Sequence, residues 1–255
     1  MGRSRTTNIP DLADLLEESH PRHPLGQAVE KAMFTGPEWS SVDPSQTEKI
    51  AIRLAVLITL GQIPPGNRLL EQDISEAMNV SRAPVREALR ILEREHLVVL
   101  VPRRGAVVTS PDASELNDIF SVRSTLYRVL LAQLMQDQPL VLAHVLTRHL
   151  KTMAIVARES PEAYAVESFL LNLEIVGLAS NRLIASLLRS IALRTLRYVR
   201  LGRSTNPASV RASLRTWRRI LRAVRAGNTP EVLDIASAHI DEIRVTSLLA
   251  LQEAP

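Results

Sequence analysis

Residues 66–89 read Gly66-Asn67-Arg68-Leu69-Leu70-Glu71-Gln72-Asp73-Ile74-Ser75-Glu76-Ala77-Met78-Asn79-Val80-Ser81-Arg82-Ala83-Pro84-Val85-Arg86-Glu87-Ala88-Leu89. The pattern predicts a short helix, a tight turn and a second helix. Ile74, Ala77, Met78 and Val80 supply an apolar face, and Asn79 sits where a helix-ending residue adopts the left-handed conformation. Ser81 is placed to cap the next helix. Arg82 and Arg86 follow it four residues apart, and so share one face. A short helix, a turn and a capped helix that presents guanidinium forks at its N-terminal end is the geometry of a major-groove reader.

The residues that follow extend this reading. Val85, Leu89 and Leu92 form the buried stripe of the second helix, and two short apolar runs come next, Leu97 to Val101 and Ala106 to Thr109. Between them lies Pro102-Arg103-Arg104-Gly105, a turn with two arginines at its tip and a glycine for the awkward dihedrals. A basic β-hairpin directly after a recognition helix is a wing. The chain here resembles the GntR family of bacterial transcriptional regulators. Ile58 to Gly61, Pro65-Gly66, Leu69, Ser81-Arg82, Pro84 to Leu89, Leu92-Glu93 and Gly105 carry the resemblance. A helix pair used only for packing does not need arginines on its solvent face and again at a hairpin tip.

Composition fits a cytoplasmic regulator. At 255 residues the chain holds one or two domains with a substantial core. No apolar run approaches the ~18–20 residues of a membrane span. The basic start, Met1-Gly2-Arg3-Ser4-Arg5, has no hydrophobic segment after it and does not read as a secretory signal. The absence of cysteine removes disulfides, thiolate metal sites and cysteine nucleophiles. A net charge of +4 favours polyanionic partners.

Three regions are expected: 1–43 as a flexible or weakly helical extension with a short amphipathic stretch from Leu12 to Glu18; 44–110 as the winged helix-turn-helix domain; 111–255 as an antiparallel bundle of six to seven helices. The winged domain opens with a helix from about Thr47 to Leu60, with Ile50, Leu54, Leu57 and Ile58 facing the core. Asp112-Ala113-Ser114-Glu115 reads as a capping box after Pro111. Punctuation places helices at about 112–136, 139–158, 161–179, 181–201, 208–226 and 230–250, with Thr229 as a cap and Pro230 in the first helical position. The fold class is mostly α, with one small β-hairpin.

The second domain resembles the effector-binding and dimerisation (FCD) domain of the fatty-acid-responsive branch of the same family. Asp118-Ile119, Val122-Arg123, Ala179-Ser180-Asn181, Ile220-Leu221, Ala226-Gly227 and Ala238-His239-Ile240 carry this weaker match. In many members one Asp and three His hold a divalent metal at the bundle centre. Aligned on Asn181 and Gly227, those places hold Ser168, Asn172, Trp217 and His239, so one ligand of four survives and no metal or other cofactor is expected. Tyr127 stands where a glutamate is usual. Two readings stay open for these polar groups: they bond one another with Trp217 filling the vacated volume, or they line a cavity for an apolar or aromatic effector.

Between Glu174 and Glu231 there are twelve arginines and no acidic residue. Arg211, Arg215, Arg218, Arg222 and Arg225 form one stripe on the penultimate helix. Either the run is a solvated face that pairs with helices bearing Glu115, Asp118, Glu162 or Glu167, or it clamps an anionic effector, with Arg194 or Arg197 turned inward. No catalytic constellation is visible. The six histidines form no pair four apart, and Glu167 and Glu174 are explained by salt bridging at the core edge.

Together these readings predict a homodimeric, sequence-specific regulator of transcription, a repressor rather than an enzyme. It is expected to bind double-stranded operator DNA and a small acidic effector with an apolar body, without metal and away from membranes. Arg82 and Arg86 are expected on base edges. Arg68, Ser81, Arg103 and Arg104 are expected on phosphates, with Gln72 as an extra contact and Gly105 shaping the wing. Arg123, Tyr127, Ser168, Asn172, Arg194, Arg197, Trp217 and His239 are the expected effector contacts, for a fatty or aromatic acid or a coenzyme A thioester. The competing class is a helical ligand-sensing or interaction protein whose winged module binds DNA only non-specifically.

Overall fold

A computed structural model describes Leu12, Leu15, Leu16 and residues 24–34, 44–102, 105–204 and 207–253. Most of the Leu12 to Glu18 stretch lies outside them, as do Arg103 and Arg104. The chain divides into two compact units, Met1–Ser110 and Pro111–Pro255. It is mostly helical, and no single helix among the described residues is long and apolar enough to cross a membrane.

In the first unit, α1 (Pro24–Met33) lies within the expected extension. It buries Leu25, Ala28, Val29 and Ala32, spaced three and four residues apart, against the next helix. That helix, α2 (Gln46–Thr59), opens with a full capping box: Ser45 Oγ accepts the Glu48 N–H and the Glu48 carboxylate accepts the Ser45 N–H at 2.6 Å. Ile50, Leu54, Leu57 and Ile58 are buried, as their spacing predicts, and each such side chain contributes ~1.5–3 kcal/mol by leaving water. Two further helices, α3 (Glu71–Ala77) and α4 (Arg82–Arg94), flank a turn in which Asn79 has φ +50°.

The sheet holds three strands rather than a simple hairpin. Strand β1 (Arg68–Leu69) and β2 (Val98–Val101) both pair antiparallel with β3 (Gly105–Val108), which lies in the middle. Register places Arg68 opposite Val107 and Val101 opposite Gly105. The Glu93 carboxylate on α4 accepts the Leu100 N–H at 2.9 Å, which ties the wing to the recognition helix. Gly105 has φ +77°, and a Cβ there would strike the Leu69 carbonyl of β1.

Among its described residues the second unit is a bundle of seven helices: α5 (Ala113–Asp137), α6 (Pro139–Val156), α7 (Pro161–Gly177), α8 (Arg182–Ser190), α9 (Ala192–Ser204), α10 (Pro207–Arg225) and α11 (Thr229–Glu253). Helix α11 runs along α5 and also packs on α9 and α10, while α6 packs on α7 and α10. Where one helix was expected from 181 to 201, the chain forms two. Neither glycine nor proline marks the break. Instead Ser190 Oγ donates back to the Leu187 carbonyl at 2.8 Å, and the Ile191 N–H, at φ −105° and ψ 0°, turns to the Arg189 carbonyl.

Caps also differ in detail from the expected ones. Asp112 accepts the Glu115 N–H at 2.8 Å, but the box is not closed, because the Glu115 carboxylate bonds Tyr198 and Arg194 on α9. Asn228, not Thr229, caps α11: its Oδ1 accepts the Glu231 N–H, and Thr229 is already helical. Gly202 on α9 lies against the Ser247 backbone of α11, and the Ser247 hydroxyl donates to the Tyr198 carbonyl at 2.9 Å.

Between α6 and α7, His149 bridges two carboxylates: Nδ1 lies 2.7 Å from Glu167 and Nε2 2.8 Å from Glu174, while Arg148 also pairs with Glu174. Burial opposes the charged imidazole, but the two carboxylate hydrogen bonds outweigh it and hold the His149 pKa above its ordinary value. A raised folded-state pKa contributes stability that is complete below the unfolded pKa of ~6.5 and is lost as pH rises through the folded value. The melting temperature should therefore fall as pH climbs from the mid-sixes upward. His149→Gln should flatten that part of the profile, and an unchanged slope in the variant would place the titration elsewhere.

Candidate nucleic-acid interface and effector site

Helix α4 buries Val85, Ala88, Leu89 and Leu92 and leaves Arg82, Arg86 and Arg90 in solvent. Both expected base readers are already held by α3. The Arg86 guanidinium makes a bidentate pair with Glu71, Nε to Oε1 at 3.0 Å and Nη2 to Oε2 at 2.9 Å. Arg82 Nη2 donates to Gln72 Oε1 at 3.1 Å, and Gln72 Nε2 donates to Glu76 at 2.8 Å. The Arg86 hydrogen bond is the chief cause that lowers the Glu71 pKa, so the pair is ionised at neutral pH. Exposed ion pairs of this kind are weak in water and exchange readily for another anion or acceptor.

Arg82, Arg86 and Gln72 thus come together on one exposed face. Arg68 is exposed on the outer strand β1, with Gly105 on the adjoining central strand. Ser81 stands at the N-cap of α4 with extended dihedrals, yet its hydroxyl makes no capping bond, contrary to the expected cap. Glu71 was missed. It lies fifteen residues from Arg86, and no helical period links the two positions.

The eight expected effector contacts do not form one cluster. Four meet between α5 and α7: Asn172 Oδ1 accepts from Arg123 Nη2 at 2.8 Å and from the Tyr127 hydroxyl at 2.6 Å, while Asn172 Nδ2 donates to the Ser168 carbonyl at 2.6 Å. The Arg123 guanidinium also covers the Tyr127 ring at 4.8 Å. Burial lowers the Arg123 pKa and pushes Tyr127 up to about 12, so the phenol keeps its proton and is a donor. Neither an ion pair nor a carboxylate bond to Arg123 is present among the described residues.

A second group joins α7, α10 and α11. Ser213 Oγ lies 3.1 Å from His239 Nε2 and accepts from the Tyr164 hydroxyl at 2.9 Å, while His239 Nδ1 lies 3.3 Å from Glu242. Trp217, 6% exposed, meets His239 edge-on at 5.6 Å, and its buried indole N–H has no partner among the described residues. Buried Ser213 was not singled out in the sequence, although its helical face is that of Trp217. The third group lies on α9: Arg194 pairs with Glu115 at 3.1 Å, while burial lowers the pKa of the half-buried Arg197 and Arg200, with Glu115 and Glu162 opposing it from nearby.

This donor set does not fit a divalent metal. Asn172 Oδ1 is occupied by a cation and a hydroxyl, Trp217 offers an N–H rather than a lone pair, and His239 already has neighbours at both ring nitrogens. Among the described residues no group of three His, Cys, Asp or Glu side chains is placed to hold one.

Comparisons with known proteins agree with this architecture. Residues 46–108 match the model of bacterial regulatory proteins of the gntR family, and residues 118–242 match the FCD domain. The chain is 35% identical over 71 residues to YdhC of Bacillus subtilis (strain 168), an uncharacterized HTH-type transcriptional regulator, covering 28% of this chain and 32% of that protein. It is 30% identical over 129 residues to the gluconate operon transcriptional repressor of the same strain, covering 50% of this chain and 53% of that one. The chain therefore spans between about a third and a half of the length of these curated relatives. A GntR regulator from Rhodococcus sp. RHA1 has the same fold, with TM-score 0.67 and 22% identity over 80% of this chain and 98% of that chain.

Releasing Arg86 should be visible in DNA binding. Glu71→Ala removes the carboxylate that competes with DNA for the guanidinium, so affinity for random duplex should rise and the ratio of selected to random duplex should fall. Fluorescence anisotropy with both duplexes measures this, and an unchanged ratio would show that the pair has no part in readout.

Proposed function

We propose that this chain, a regulator of the GntR family with a GntR helix-turn-helix domain and an FCD domain, represses transcription by binding operator DNA as a homodimer under the control of a small organic acid. Residues 44–110 are the DNA-binding part and 111–255 the effector-binding and dimerising part. The reading as a regulator rather than an enzyme rests on the two domain matches, and repression is suggested by the name of the gluconate-operon relative. Assignment to the fatty-acid-responsive branch belongs to the same proposal.

In this reading Arg82 and Arg86 leave Gln72 and Glu71 for base edges, guanine O6 and N7 being the best match for a guanidinium fork. Arg68, Ser81, Arg103 and Arg104 hold phosphates, and Gly105 shapes the wing. Truncating Arg86 to alanine should reduce discrimination roughly ten- to hundredfold. Duplexes selected from a random pool, compared with unselected duplex across a salt series, test this. A ratio near one for the wild type would leave only salt-sensitive background binding and overturn sequence-specific regulation.

The observation that carries the effector reading is Arg123, a half-buried cation whose partners are an amide oxygen and a phenol. A buried charge wants an opposite charge, and an acidic ligand would supply it. Tyr127 then serves as a donor to the same carboxylate, with Asn172, held by the Ser168 carbonyl, beside it as the group the acid displaces from Arg123. His239 and Trp217 form the apolar and polar wall farther along the bundle, whereas Arg194 and Arg197 are engaged by Glu115 and are the weaker contacts.

Asn172→Asp tests the acid-binding reading directly, because it supplies the missing anion from within. The variant should melt higher than the wild type near neutral pH and should no longer be stabilised by aromatic or fatty acids. The wild type should gain about 2.7 kcal/mol at a hundredfold excess of a true ligand over its dissociation constant. If Asn172→Asp, Arg123→Leu and wild type are shifted equally, the acid binds elsewhere. Treatment with a chelator should change neither melting nor DNA affinity, and one tightly held transition metal per chain by elemental analysis would refute metal-free sensing.

A further inference from the structure

Helix α10 carries its arginines in a way that the bundle does not account for. Arg211, Arg215, Arg218, Arg219, Arg222 and Arg225 are all exposed. Arg225 donates to Thr147 Oγ1 at 3.0 Å; the other five make no ion pair or side-chain hydrogen bond among the described residues. This differs from Arg194 on α9, which pairs with Glu115. It also differs from α5, α6 and α11, whose Arg128, Arg148 and Arg244 all have carboxylate partners.

The arrangement is unfavourable for the isolated chain. Six pairs among these residues lie three or four apart on the helix surface (211/215, 215/218, 215/219, 218/222, 219/222 and 222/225), where like charges repel. The opposite face of α10 buries Val210, Ser213, Trp217, Ile220 and Val224, so burial of that face fixes which way the arginines point. From Arg211 to Arg225 the stripe runs about 21 Å at the helical rise of ~1.5 Å per residue.

Two shallow grooves flank it. One, of about 660 Å³, has Arg158, Arg211, Arg215 and Arg218 around a floor that includes Val210 and Leu214, with Glu159 as its single carboxylate. The other, of about 650 Å³, shares Arg215 and Arg218 and adds Arg219 and Arg222. The cations line an open ridge longer than a small organic acid. None of them is a buried donor converging on a point, as an effector pocket would require. A linear polyanion with regularly spaced single charges fits the length, the exposure and the bidentate geometry of the guanidinium group.

We propose that the exposed face of α10, with Arg158 beside it, is a second, sequence-independent contact surface for the sugar-phosphate backbone of duplex DNA. The identity of the polyanion rests on the reading of this chain as a DNA-binding regulator; the surface itself does not depend on α4. Counterions released from phosphates by this ridge add to the salt dependence of binding, without adding to the choice of sequence.

The test uses the full chain and random-sequence duplex in a potassium chloride series. Replacing Arg211, Arg215, Arg218 and Arg222 together by glutamine should lower the slope of log affinity against log salt by about 0.9 for each phosphate no longer neutralised. The four lysine replacements should largely keep the slope, and the ratio of selected to random duplex should stay unchanged. Arg215→Gln and Arg218→Gln singly should each give a partial drop, so the proposal is testable even if the quadruple variant folds poorly. In an Arg82→Ala/Arg86→Ala background the same ridge-dependent drop should persist, which separates failure of the ridge from failure of the recognition helix. An unchanged slope would overturn the proposal. So would an equal drop per charge in the control variant Lys151→Gln/Arg182→Gln, which would mark a bulk charge effect. Loss of binding to phosphatidylglycerol vesicles by the glutamine variant with no change on DNA would also overturn it, in favour of a membrane surface.

Discussion

A guanidinium half out of water without an opposite charge is the constraint that the contact between α5 and α7 has to meet. Arg123 keeps its proton because a neutral arginine is far costlier than a partly desolvated one, and its surroundings must therefore answer a charge. They do so with an amide oxygen, a phenol and the face of an aromatic ring. Asn172 is pinned in turn by the Ser168 carbonyl, which fixes the orientation of its amide: Oδ1 toward the cation, Nδ2 toward α7. One half-buried charge is thereby the point at which α5 and α7 are joined by side-chain hydrogen bonds.

The same logic runs in opposite directions in two other places. At His149 two carboxylates are in excess of one imidazole, and they favour the charged ring between α6 and α7. On α4 the guanidinium is fully in water and its carboxylate partner is exchangeable, so the contact orients the side chain more than it stabilises the fold. Burial separates these cases. The residue types are the same, and the surrounding dielectric decides whether a pair is a structural bond or a removable one.

The helix-turn-helix was legible because its signals are local: apolar spacing, Asn79 in the turn, arginines at the head of a helix. The bundle was legible to the extent that proline and glycine punctuate it, and its one unpunctuated break, at Ser190-Ile191, was not. Burial of Trp217 and His239 followed from helical periodicity, since both lie on apolar stripes. Their partners did not. Ser213, Tyr164 and Glu242 come from three helices, and only the folded arrangement shows that they form one chain of hydrogen bonds while Arg123 and Asn172 form another. Glu71 and the third strand escaped for the same reason: each is defined by a contact across the sequence, and a two-residue strand such as Arg68–Leu69 has no period to read.

Tyr198 has a mechanical meaning beyond its hydrogen bonds. Its hydroxyl accepts the Asp112 N–H and donates to the Glu115 carboxylate, while its own carbonyl receives the Ser247 hydroxyl, and Gly202 one turn on allows α9 to touch the α11 backbone. The first residues of the helical unit are therefore clamped to the middle of α9 and, through it, to α11. A clamp of this kind removes slack within the bundle: α9 cannot slide along α5 without breaking these hydrogen bonds, so the start of α5 and the middle of α9 move as one piece.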